Sequence, residues 1–72
     1  MDRQALLDHL VEAEHRVAFG SNKIQEQHRV IAEFMRHGDD TVEAVSVLNK
    51  LLEAQGTHEA NRDRLKAELE EE

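Results

Sequence analysis

Seventy-two residues with 9 basic against 16 acidic side chains give a formal charge of −7, which opposes close approach to a nucleic acid backbone or an anionic membrane surface. A chain this short makes one domain with a thin core. With only Phe19 and Phe34 as aromatics and 35% charged residues, a large enclosed substrate pocket is not expected. The absence of cysteine excludes disulfides, thiolate metal sites and cysteine nucleophiles.

The chain opens Met1-Asp2-Arg3 with neither a basic leader nor an apolar run, and no later stretch is apolar enough to span a bilayer, so cytoplasmic residence is expected. Asp2 is placed to cap a first helix. From there Leu10, Val17, Ile24 and Ile31 recur every seven residues, and Leu6, Ala13, Gly20, Gln27 and Phe34 occupy the complementary heptad position. The pattern predicts a helix over about residues 3–37, about 50 Å long at ~1.5 Å per residue. Gly20-Ser21-Asn22 is the one place that offers a break in this helix, with Asn22 and Gln25 forming a second cap and the chain becoming three-helical. Val17 and Ile24 keep heptad phase across the glycine, which favours continuity.

Gly38-Asp39-Asp40-Thr41-Val42-Glu43 combines a helix stop with a helix start. Gly38 suits the left-handed closure of a helix, and Asp40 with Glu43 fits a capping box opening the next. The second helix is predicted over about 41–69 after a turn at 38–40. Its seam follows Ala44, Leu48, Leu51, Gln55, His58, Arg62, Leu65 and Leu69, apolar at both ends and polar in the middle. Glu70, Glu71 and Glu72 set negative charge at a helix C-terminus, where the dipole disfavours it, so fraying is expected.

The whole chain, 1–72, therefore reads as a single all-α domain, an antiparallel two-helix hairpin. A simple fold-back pairs Ile31 with Leu48, Ile24 with Gln55 and Leu10 with Leu69, and sets Gly20 opposite His58 or Glu59, where the missing side chain makes room for a large polar one. Leu7, Val11, Ala18, Ala32 and Met35 on helix one, and Val42, Val45 and Leu52 on helix two, remain outside the seam. Faces this wide suit a four-helix bundle made by a homodimer of hairpins.

Four residues are candidates for an interaction site. Phe19 lies off both apolar stripes among Glu12, Arg16 and Glu26 and is read as an exposed residue or a contact surface. Gln55, His58 and Arg62 are polar residues at seam positions; such residues set register or partner choice, and with a carboxylate such as Glu14 they could instead form a ligand-reading cluster. Glu12 and His15 have the Glu-x-x-His spacing of di-iron four-helix proteins, but both point outward in this heptad frame. None of the available hydroxyls sits in a nucleophile-elbow or phosphate-loop pattern, and no catalytic residue or cofactor is expected.

His15-Arg16-Val17-Ala18, Arg29-Val30-Ile31-Ala32-Glu33, Asp40-Thr41-Val42-Glu43-Ala44 and His58-Glu59-Ala60-Asn61-Arg62-Asp63-Arg64-Leu65 resemble stretches of short uncharacterised helical proteins common in alphaproteobacteria, with the similarity covering most of the chain. The resemblance implies a bacterial cytoplasmic protein and brings no function with it. The expected function is that of a small non-enzymatic interaction or regulatory protein acting as a homo-oligomeric bundle, with a protein partner as a further expectation. The alternative is a metal or small-ligand binder using histidines across a dimer interface. A third reading is a structural element of a larger complex, its acidic second helix lying against a basic surface.

Overall fold

The computed structural model describes residues 2–71 and consists of helix α1, Arg3–Arg36, and helix α2, Val42–Glu71, packed side by side as an antiparallel hairpin. Asp2 caps α1 as expected: its backbone is extended, and its carboxylate accepts from the Ala5 amide at 2.9 Å. No break occurs at Gly20. The helix runs through Gly20-Ser21-Asn22 without interruption, because the seam side chains on both sides of the glycine stay in contact range of α2.

Gly38 ends α1 with a φ of +74°. Around it the Gly38 amide donates to Met35 O at 3.2 Å and the Asp39 amide to Phe34 O at 2.9 Å, the two bonds of a Schellman closure. The start of α2 departs from the expected capping box. Asp40 accepts from the Val42 amide, two residues on, at 2.9 Å, whereas a capping box bonds three residues on. The helix correspondingly opens at Val42, with the Thr41 carbonyl accepting its first bond from the Val45 amide at 2.8 Å. At the other end α2 continues through Glu71, two residues past the predicted stop near 69; Glu72 lies outside the described residues.

The predicted seams are the faces that meet. On α1 Leu6 and Ala13 are buried and Leu10, Val17, Gly20, Ile24, Gln27 and Ile31 half-buried; Phe34, at the loop end, is exposed. On α2 Ala44, Gln55 and Leu65 are buried and Leu48, Leu51, His58, Arg62 and Leu69 half-buried. The apolar core gathers at the open end of the hairpin, where Leu10 and Leu69 pack on Leu6, Ala13 and Leu65. Two helices cannot enclose more. Each presents one stripe to the other, and the result is a rod of 54 × 14 × 13 Å.

The register differs from the simple fold-back. Gln55 faces Gly20 and reaches the Val17 carbonyl, one helical turn away from the expected pairing with Ile24. The physical reason lies in the size of the glutamine: a long polar side chain at the seam needs a gap, and Gly20 is the α1 seam position that lacks a Cβ. The expectation that Gly20 makes room for a large polar side chain therefore holds, with Gln55 rather than His58 or Glu59 as the occupant.

Candidate functional site

Halfway along the rod, Gln55 is the only buried polar residue among those described, 7% exposed. Its Nε2 donates to Val17 O at 2.7 Å. Its Oε1 is buried and has no hydrogen-bond partner, and it faces the Cα hydrogen that stands where Gly20 lacks a Cβ. A Cβ there would collide with Oε1 and come within 2.9 Å of Cδ. A buried unpaired carbonyl costs about 1–3 kcal/mol, so this layer favours one register at some expense of stability.

A second glutamine does the same from the other helix. Gln27, at the α1 seam, donates to Ala44 O on α2 at 2.9 Å. The two glutamines pin the hairpin at two heights through backbone carbonyls. The ion pairs among the described residues, and the Glu33–His37 hydrogen-bond contact, in contrast each join neighbours along the chain: Glu33 with Arg36, Arg62 with Asp63, Arg64 with Glu68. Exposed pairs of this kind contribute little, and none of them ties α1 to α2. Sequence reasoning placed Gln27 on the seam but gave it no role; a polar residue at a heptad core position was the available signal.

Beside the Gly20–Gln55 layer the surface sinks into a half-open hollow of about 440 Å³. Phe19, Leu51 and Ala54 give it apolar walls, Gly20 and Gln55 line its base, and His15, Arg16, Lys23 and His58 complete the lining. No carboxylate lines it, although acidic residues outnumber basic ones in the chain. Lys23 Nζ lies 5.3 Å from the Phe19 ring centroid, a cation–π contact that holds the ammonium over the ring. A second hollow of about 460 Å³ continues toward the loop between Phe19, Val30, Val47 and Leu51, so the Phe19 ring stands as a ridge between the two.

Three of the four candidate residues thus come together. Phe19, read from sequence as lying off both apolar stripes, shares one hollow with Gln55 and His58. Arg62 is not part of it. Its Nε donates to Asp63 Oδ1 at 2.9 Å, and that hydrogen bond, opposed by desolvation and supported by the charges of Asp63, Glu59 and Glu14, raises the guanidinium pKa above its ordinary value. Glu14 lies within electrostatic reach of Arg62, and neither residue lines the hollow. Leu51, Ala54 and the cationic Arg16 and Lys23 are members of the hollow that the sequence did not single out.

No three histidine or acidic side chains among the described residues converge in a group able to hold a metal ion, and no helix is long and apolar enough to cross a membrane. Glu12 and His9 line a smaller hollow with Arg16, Asn61, Arg64 and Leu65, where two guanidinium groups oppose a cation. The chain matches no protein-family model, no curated protein and no solved structure.

Proposed function

We propose that the chain is a small non-enzymatic interaction or regulatory protein that works as a homodimeric four-helix bundle in the cytoplasm. The observation that carries this reading is the surface. The hairpin exposes 5380 Å², against about 4,600 Å² for a compact single chain of 8.3 kDa. The excess of about 800 Å² is what one partner contributes to a standard protein interface. Among the described residues nine large apolar side chains are exposed, Phe19 at 65%, Met35 at 69% and Val42 at 71% among them. The radius of gyration, 16.4 Å, exceeds the ~11 Å of a globule of this length, and a second hairpin laid alongside brings the proportions closer to a globule's.

The non-enzymatic part rests on what the side chains are doing. Ser21 and Ser46 are exposed on open helix surface, and the Thr57 hydroxyl turns back to its own helix at Glu53 O, 3.4 Å away. Native mass spectrometry of the protein purified without chelators tests the reading. A bare dimer is expected; a bare monomer at micromolar concentration would sink it. A second reading, a small-ligand binder, draws on the hollow shared by Phe19, Gln55 and His58 with its cationic lining. Extra mass that leaves on denaturation decides for that one.

A further inference from the structure

We propose that the Phe19 face is where a second copy of this chain docks, about a two-fold axis that crosses the rod near Phe19 and Ala54 and runs the two α1 helices antiparallel. The loops then lie at opposite ends of the bundle. The inference rests on the dimeric reading and gives it a geometry.

Position is the first argument. Phe19 lies midway along Arg3–Arg36, and the Gly20–Gln55 contact shows that Phe19 and Ala54 stand at the same height on the two helices. A perpendicular two-fold at that height overlaps both rods over their full 54 Å; an axis at any other height shortens the overlap. Shape is the second. Phe19 is a ridge with a hollow on either side, and Ala54 beside it is small, so the two-fold seats each ring in the other copy's hollow while the helices approach closely.

Charge is the third. Glu12, Arg16, Phe19, Lys23 and Glu26 follow one another at 4-3-4-3 spacing, acid outermost and base innermost, symmetric about the ring. Side chains of antiparallel helices interleave with neighbours three and four residues from the position directly opposite. Arg16 then falls between the partner's Phe19 and the partner's Glu26. Lys23 falls between the partner's Phe19 and the partner's Glu12. Each cation meets one ring and one carboxylate. An axis along the rod instead lays α1 on the partner's Leu51, Ala54 and His58, none of them acidic.

Two measurements test this. The first compares Phe19→Arg with Leu52→Arg by light scattering and native mass spectrometry, with circular dichroism to confirm helicity. Both side chains are exposed in the hairpin, 65% and 47%, and Leu52 lines neither hollow. Phe19→Arg should weaken dimerisation about thirtyfold or more, the loss typical of a central anchor, and Leu52→Arg, on the other apolar face that the sequence offers for a bundle, should not. The second places a nitroxide on Asp39→Cys, which is straightforward in a chain without cysteine, and reads the inter-label distance. The expected value is about 50 Å, close to the rod length. A wild-type monomer, bare or with extra bound mass, overturns both the dimeric reading and this geometry. A dimer that survives Phe19→Arg, or one whose labels sit side by side at one end, overturns the geometry alone.

Discussion

Gly20 and Gln55 make one structural unit, and neither residue is explicable without the other. Glycine in a helix interior costs about 1 kcal/mol relative to alanine, and a buried, half-satisfied glutamine carries its own cost. Alanine at position 20 should displace the Gln55 amide from Val17 O and lower stability by about 1–2 kcal/mol, despite its better propensity. In a Gln55→Ala background the same change should raise stability by about 1 kcal/mol. Urea denaturation of the four proteins at one concentration measures the coupling, expected at about 2–3 kcal/mol. An equal effect in both backgrounds would refute the packing role. Gly56 supplies the control: it is helical, exposed and has open space where a Cβ would go, so Gly56→Ala should stabilise by about 1 kcal/mol in any background.

At the scale of the elements, the caps explain why a chain of uninterrupted helix formers becomes two helices instead of one. Asp2 holds the first free amides of α1, and Gly38 supplies the left-handed residue that turns the chain out of it. Any other L-residue at 38 pays a backbone penalty, so Gly38→Ala should cost about 1–2 kcal/mol and lower the thermal midpoint, with no steric contribution, since open space surrounds the position. A variant as stable as wild type would mean that the turn is held by something other than its φ. The helices, their lengths to within a few residues and the seam on each were legible because each follows from local chemistry and a 3.6-residue period. The Asp40 cap was mis-set by one residue because Asp side chains bond equally well two or three residues ahead, and spacing alone does not choose between them.

The molecule as a whole is a rod whose stability is inseparable from what lies beside it. Four buried apolar residues among those described, Leu6, Ala13, Ala44 and Leu65, give a core far smaller than the ordering of two long helices demands. Under the dimeric reading, folding and association are one equilibrium, so the thermal midpoint should climb as protein concentration is raised across two decades. Calorimetry or circular dichroism at several concentrations checks it; a midpoint that stays put argues for a self-sufficient monomer.

Sequence by itself determined the all-helical hairpin, the turn at Gly38, the buried stripes and the polar middle of the second one, because propensity, capping and periodicity are properties of neighbours along a chain. Only the tertiary structure decided the register. Helices slide past each other in steps of a turn with little change in apolar contact, and the choice falls to two glutamines reaching backbone carbonyls and to the one seam position with no side chain. The hollow followed from that choice. Phe19, Gln55 and His58 share it because Gly20 rather than Ile24 faces Gln55, and a shift of one turn would have set the ring and the polar layer at different heights on the rod.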